Sequence, residues 1–268
     1  MRLGVLANPE IPDAKRLAKR VVRLLQAEGV EHMVDEPLAR SLRLKAPPLD
    51  YDDAEVLVTI GGDGTVLRAL ERSMAKVLSI NAGQVGFLTE VKPEEVEKRL
   101  MDFLRGQYLI DERIKLKVYL NRRRLMDCTN EAVVHTAHIS KMRQFMVWID
   151  GELAMEIRAD GMIIATPTGS TCYAMSAGGP IIDPKVEAFV IAPLAAYKPF
   201  IRPIVVPAKS DIVLRFGRRR DCLLVLDGQY EERVRSSAVL RFSKSEAKAE
   251  FIRFRKGYYE RMKEQFGI

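Results

Sequence analysis

The sequence predicts a two-part protein, an α/β domain over residues 1–107 followed by an all-β, sandwich-like domain over 108–245. Residues 246–268 are expected to return to the first domain. Three observations carry this. Up to residue 107, apolar runs alternate with stretches of helical period, the pattern of parallel strands flanked by helices. From Tyr108 the chain changes to a succession of short runs, several alternating apolar with polar, as in a sandwich. Between Val56 and Ile60 five β-favouring residues run without a polar interruption stronger than Thr59, which marks a strand buried on both faces.

The elements follow in order. Arg2–Ala7 is an apolar strand, and Asp13–Gln26 has helical spacing through Leu17, Val21, Leu24 and Leu25. Val30–Val34 is a short strand, and Leu38–Asp53 reads as a proline-bearing connection. The strand at 56–60 opens through glycines into a helix starting at Thr65, with Val66, Leu67 and Leu70 on one face. Val77–Asn81 is a strand, and Pro93–Leu104 a helix with proline at its start. In the second part Ile114–Leu120, Met126–Val134, Phe145–Ile149, Leu153–Ile157, Met162–Ala165, Phe189–Ile191, Ile212–Phe216, Leu223–Leu226 and Val239–Phe242 read as strands. Asp150-Gly151 is a two-residue hairpin signal. Tyr258–Phe266 has helical character.

Composition narrows the function classes. With 47% hydrophobic and 29% charged residues among 268, the chain has the balance of a globular protein with a substantial core. No apolar run reaches the ~18 residues of a membrane span, and Met1–Pro9 reads as a first strand rather than a signal peptide. Cys128, Cys172 and Cys222 are far apart and lack metal-ligand spacing, which suits a reducing, cytoplasmic setting. The net charge of +7 would suit nucleic acid, but no recognition helix, stacking platform or zinc finger accompanies it. Arg122-Arg123-Arg124 and Arg218-Arg219-Arg220 fall where hairpin turns are expected, so solvated loops account for them. A positive field also attracts polyanionic small ligands. His135 and His138 lack a third ligand nearby, so no zinc site is expected. Four asparagines against many Lys, Arg and Glu hint at heat adaptation.

The chemistry concentrates at Gly61-Gly62-Asp63-Gly64-Thr65. A strand, a glycine turn and a helix place N–H groups and a positive helix end where phosphate can sit. Asp63 breaks that logic, because a pure phosphate cradle gains nothing from a carboxylate. It points to a proton acceptor or a magnesium partner. A second cluster follows Asp160-Gly161 and the strand Met162–Ala165. Thr166-Pro167-Thr168-Gly169-Ser170-Thr171, then Tyr173, Ser176 and Ala177–Pro180, supply hydroxyls, small residues and backbone donors suited to a ribose. Asn130-Glu131 adds an amide able to read an adenine edge and a carboxylate able to accept from hydroxyls.

Together these residues resemble the NAD kinase family. The matching segments are Gly61–Thr65, Asn81-x-Gly83-x-x-Gly86-Phe87-Leu88-Thr89-Glu90, Asn130-Glu131, Asp160-Gly161, Thr166–Pro180 and Asp227-Gly228-Gln229, in the family's order and at about its spacing. The resemblance implies phosphoryl transfer from ATP or polyphosphate to the 2′-hydroxyl of the adenosine ribose of NAD, giving NADP. Asp63 would be the catalytic carboxylate, orienting the hydroxyl and taking its proton late as general base. Gly61, Gly62, Gly64 and Thr65 would form the phosphate-donor loop, and magnesium or another divalent cation would accompany the donor without fixed protein ligands. Phe87 would pack near the adenine, with Asn130 and Glu131 on the adenosine. Asp160, Thr171, Tyr173 and Ser176 would line the rest of the site. Ala195, Tyr197 and Gln229 would complete it across a subunit interface, in a homodimer or homotetramer. The stretch Ala195–Pro203 departs from the Pro-His-x-Leu pattern of many relatives, and Cys172 stands where alanine is common.

Alternatives are a lipid or sphingoid kinase, a phosphofructokinase and a non-catalytic dinucleotide sensor. The first usually carries Gly-x-Gly-Asn-Asp where this chain has Gly83-Gln84-Val85-Gly86-Phe87. The second would keep its α/β alternation through the second half. The third has no use for Asp63.

Overall fold

The computed structural model describes residues 1–83, 86–138, 141–198, 200–217, 221–255 and 257–267. Gln84, Val85, Pro199 and the run Arg218-Arg219-Arg220 lie outside the described residues. The chain divides into two compact units, Met1–Glu112 with Ala249–Ile268, and Arg113–Lys248. One is a parallel α/β unit and the other an antiparallel β unit, the fold class that the sequence predicts.

The first unit runs β1 (Leu3–Ala7), α1 (Pro12–Ala27), β2 (His32–Val34), α2 (Glu36–Leu42), β3 (Val56–Gly61), α3 (Asp63–Arg72), β4 (Lys76–Asn81) and α4 (Val96–Leu104). The strands pair in parallel in the order β2-β1-β3-β4. Leu17, Val21 and Leu25 of α1 and Leu100 and Phe103 of α4 pack on one face, against Val5, Val58 and Ile80. Val66, Leu67 and Leu70 of α3 pack with Val77 and Phe251 in a separate cluster. Helices on both faces explain why these strands carry no polar alternation. The connection expected over Leu38–Asp53 begins inside a helix. Pro37 sits in the first turn of α2, where its missing N–H costs nothing, and seven residues are too few to display a period.

The second unit holds the later part of β5 (Leu109–Leu120), β6 (Arg123–Arg124), β7 (Glu131–Thr136), β8 (Arg143–Ile149), β9 (Glu152–Ala159), β10 (Gly161–Ala165), α5 (Tyr173–Ser176), β11 (Ala188–Leu194), β12 (Ile204–Pro207), β13 (Ile212–Phe216), β14 (Cys222–Leu226), β15 (Tyr230–Val234) and the first part of β16 (Val239–Arg253). The end of β16 and α6 (Tyr258–Phe266) belong to the first unit, where Phe251 pairs in parallel with Val77 of β4. Within the second unit β12-β11-β10-β7-β14-β15 form one antiparallel sheet, and β9, β8, β13 and β16 lie side by side in another. Their inner faces share a core that includes Leu116, Val134, Phe145, Met162, Phe189, Leu224 and Phe242. Asp150 and Gly151 adopt φ of 52° and 88° between the directly paired Ile149 and Glu152, the two-residue turn expected there.

Three expectations change. The strand expected over Met126–Val134 is interrupted: Cys128 bridges Leu116 of the neighbouring strand, a side chain takes the N–H groups of Thr129 and Asn130, and β7 begins only at Glu131. Edge strands β12 and β15 were not expected: the run Ile204–Val206 is only three residues before Pro207, and β15 reads Tyr-Glu-Glu-Arg-Val, which an edge tolerates. The helix after the glycine turn starts at Asp63, two residues before Thr65.

Candidate active site

In the first unit β1 lies between β2 and β3, and the helices that follow β1 and β3 pack in different core clusters. That is a topological switch point, and ligands of open α/β sheets bind outside the carboxyl ends of strands at such a point. The carboxyl end of β3 is Gly61, with Gly62 as the N-cap of α3 and Asp63 its first residue. Asp63 and Gly64 therefore present N–H groups with no intrahelical acceptor, at the positive end of the helix. Thr65 packs against Gly61 so closely that a Cβ at 61 would run into its side chain. Gly61 stands in register with Asn81, and Ala82 donates to its carbonyl, so the loop after β4 starts beside the glycine turn.

That loop closes on Asp63. Oδ2 accepts the N–H of Phe87 at 2.9 Å, and Oδ1 accepts those of Leu88 at 3.0 Å and Thr89 at 3.3 Å. Gly86 passes so near that a Cβ there would meet the carboxylate carbon at 2.6 Å, so only glycine fits. A carboxylate offers about four acceptor positions. Three are filled, and the last is on Oδ2. Asp63 is half-buried and Gly64 exposed, so that position sits beside an open glycine turn. Phe87 meets Phe266 of α6 with ring centroids 5.2 Å apart and planes tilted by 44°. A separate cavity of about 420 Å³, lined by Leu3, His32, Met33, Lys45 and Asp53 among others, opens at the amino ends of β1 and β2 and contains none of these residues.

In the second unit the centre is Asp227, which sequence reasoning placed in a motif without giving it a role. The turn Asp227-Gly228-Gln229 joins β14 to β15, with φ of 49° and 65° at its first two residues. The Asp227 carboxylate accepts the N–H groups of Thr129 at 2.6 Å, Asn130 at 2.8 Å and Glu131 at 3.0 Å. On the other side Thr166 donates its N–H to Asn130 O at 2.8 Å and its hydroxyl to Thr129 O at 2.5 Å. Gly169 lies against the Asn130 backbone, where a Cβ would come within 2.5 Å of the carbonyl carbon. The backbone of 129–131 is thus fully engaged, and among its side chains Asn130 donates Nδ2 to Cys172 Sγ at 3.5 Å. Thr129 Oγ1, Asn130 Oδ1 and Glu131 Oε2 are buried without a hydrogen-bond partner. Each such atom costs about 1–3 kcal/mol, so three in succession mark a place made to meet a ligand.

Electrostatics reinforce this. Burial pushes Asp227 up to about 6, against the opposing pull of its three N–H donors and of Lys115. Burial, then the neighbouring Asp227 charge, pushes Glu131 up to about 8. At neutral pH Glu131 is therefore a protonated acid able to donate a hydrogen bond, while Asp227 is the anion that anchors the segment.

The other expected residues divide between the two ends of β10. Thr171, Tyr173 and Ser176 follow its carboxyl end, beyond Ala165, which pairs with Glu131. Thr171 is buried and donates to Thr168 O at 3.3 Å, whereas Tyr173 and Ser176 are exposed. Gln229 is exposed next to Asp227. Asp160, Ala195 and Tyr197 gather at the amino end, where Asp160 N–H bonds Leu194 O and Tyr197 N–H bonds Arg158 O. Five strand residues separate the ends, roughly 17 Å. Ala195 adopts φ of 46° and Tyr197 is 66% exposed. Within one chain the groups do not meet. Among the described residues no cluster of three His, Cys, Asp or Glu side chains could hold a metal, and no helix is long and apolar enough to cross a membrane.

Comparison with known proteins agrees with both halves. The ATP-NAD kinase N-terminal domain matches residues 3–108 and the ATP-NAD kinase C-terminal domain residues 129–254. An NAD kinase of Thermoplasma volcanium is 44% identical over 266 residues, covering 99% of this chain and 97% of that protein. A crystal structure of an NAD kinase from Archaeoglobus fulgidus in complex with ATP superposes with a TM-score of 0.79 at 29% identity, covering 100% of this chain and 98% of the other. Yeast NADH kinase complexed with NADH shares the fold, with a TM-score of 0.93 at 21% identity over 100% of this chain and 88% of that one. Two domain matches in the expected order and near-complete alignment to a relative of this similarity lead to one assignment: the chain belongs to the NAD kinase family.

Proposed function

We propose that the chain transfers a phosphoryl group from ATP to the 2′-hydroxyl of the adenosine ribose of NAD, giving NADP, with Asp63 as the proton acceptor. The observation that carries this reading is the single acceptor position left on the Asp63 carboxylate at the amino end of α3. In the reaction the 2′-oxygen forms a bond to the γ-phosphorus, the bond from that phosphorus to the bridging oxygen breaks, and the hydroxyl proton passes to Oδ2 late in the transfer. Three backbone donors fix the carboxylate plane, so it orients the hydroxyl without reorganising. The N–H groups of Gly62, Asp63 and Gly64 face the donor phosphates, with Gly61 and Thr65 shaping the turn.

Magnesium or another divalent cation fits here as a companion of the triphosphate. The one open position of Asp63 takes the hydroxyl proton, and among the described residues no carboxylate cluster stands by, so phosphate and water would hold the cation. When bound it supplies charge neutralisation on the phosphates.

Asn130 and Glu131 receive the adenosine, the first through its unpartnered Oδ1 and the second as donor or acceptor. Phe87 packs beside the adenine, and Thr171, Tyr173, Ser176 and Gln229 border the dinucleotide. Asp160, Ala195 and Tyr197, at the other end of β10, serve the site of a neighbouring copy in a homodimer or homotetramer. The setting is the cytoplasm. A lipid or sphingoid acceptor finds no support in the domain matches, and a pure sensor leaves Asp63 unexplained.

The deciding experiment offers purified protein magnesium and NAD, with ATP and polyphosphate in separate reactions, and measures NADP. NADP with ATP is expected. No NADP with either donor overturns the activity, and NADP from polyphosphate alone overturns the donor.

A further inference from the structure

The loop that holds Asp63 is itself held from behind by the carboxyl-terminal segment of the first unit. Leu88 donates its N–H to Asp63, and its carbonyl accepts Arg253 Nη1 at 3.1 Å and Ser79 Oγ at 2.9 Å. The same Nη1 reaches Glu90 Oε2 at 3.0 Å, and Arg253 Nε reaches Asp111 at 3.4 Å. Glu90 Oε2 also accepts Arg261 Nη1 of α6 at 3.2 Å, and Oε1 accepts the N–H of Phe254 at 3.0 Å. The side chains of Glu90, Arg253 and Arg261 are 5%, 3% and 10% exposed. Phe266 of α6 lies on Phe87, one residue from the same peptide.

Stability alone does not explain this cluster. Removing three charges from water carries a large desolvation penalty, and apolar residues of similar volume often hold a fold as well or better. What an apolar substitute would lack is the directional grip on the Leu88 peptide. We propose that Glu90, bridging Arg253 and Arg261, is a positioning residue for phosphoryl transfer: it fixes the 87–89 loop whose N–H groups aim the Asp63 carboxylate. The carboxyl-terminal helix thereby contributes to the reaction without touching a substrate. The inference rests on the reading of Asp63 as the reacting group.

Glu90→Gln keeps the shape and removes the charge. It turns an amide toward N–H donors and loosens the peptide behind Asp63. A displaced reacting group costs on the order of 10²-fold in rate, so kcat is expected to fall about 10- to 100-fold, with KM for NAD changed less than about twofold. Circular dichroism should still show a cooperative melt. The second readout is coupling. In an Asp63→Asn background, single-turnover NADP formation should fall no further when Glu90→Gln is added, because the group it acts through is gone. Should Glu90→Gln fail to fold, Arg261→Gln removes one of the two cations and is expected to lower kcat several-fold at unchanged KM. An unchanged kcat in whichever variant folds overturns the proposal. So does an equal fold-loss with and without Asp63. If the unmodified chain makes no NADP, the activity itself is refuted; if it makes NADP and Glu90→Gln is as fast, only the positioning role is.

Discussion

Asp63 does two jobs with one carboxylate. It caps a loop through three N–H bonds and keeps one acceptor position for a ligand. Asp63→Asn puts an amide N–H where the loop offers only donors, so it removes the proton acceptor and also weakens the loop. Turnover should fall about 10²- to 10⁴-fold while NAD affinity by calorimetry changes little, because Asn130 and Glu131 are untouched. Near-normal turnover would end the assignment. Glu131 gives a prediction in pH. Its proton is bound up to about pH 8 in the folded chain but only to about 4.5 when exposed. Between those values the folded state holds the extra proton, so this group's stabilisation is complete below the lower value and is lost as pH rises through the upper one. The slope is at most about 1.4 kcal/mol per pH unit. Glu131→Gln should flatten the decline in urea-measured stability between pH 5 and pH 8, leaving the smaller contribution of Asp227 below about 6. An unchanged slope would mean that Glu131 is ionised when folded.

At the scale of elements, two turns are built by close approach rather than by turn propensity. Gly86 makes room for the Asp63 carboxylate, and Gly169 for the backbone of Asn130. Gly169 does so without a left-handed φ, and glycine composition signals only a loop and not what presses on it. Gly169→Ala forces a methyl into a carbonyl that already bonds Thr166 N–H. We expect a loss of about 1–3 kcal/mol in denaturant unfolding, with weakened NAD binding. Stability within error of the original would show that the two backbones part freely.

At the scale of the molecule, the units differ in how the chain builds them. Arg113–Lys248 is contiguous and encloses its own core from Ile114 to Phe242. The other unit draws on both ends of the chain, with Phe251 and Ile252 in its core clusters. The segment Arg113–Lys248 expressed alone should therefore fold, melting cooperatively with a β-type spectrum, whereas the chain truncated after Lys248 should lose the order of its first unit. A non-cooperative melt for the isolated segment would show that its core is not self-sufficient.

Local pattern was enough for much of this protein. The period of apolar residues set most of the strands and helices, though not α2, β12 or β15, and the run from Val56 through Thr65 announced a glycine turn with a carboxylate in it. Asn130 and Glu131 were readable as a pair, because adjacent residues need no fold to be neighbours. The fold alone decided that Asp227, 97 positions from Asn130, anchors the backbone beneath them, and that burial beside it keeps the Glu131 proton. It also parted Tyr197 from Tyr173 along β10 and set Arg253 and Arg261 behind the loop that grips Asp63. Periodicity is written into consecutive residues, whereas desolvation and long-range hydrogen bonds exist only once distant segments have been brought together.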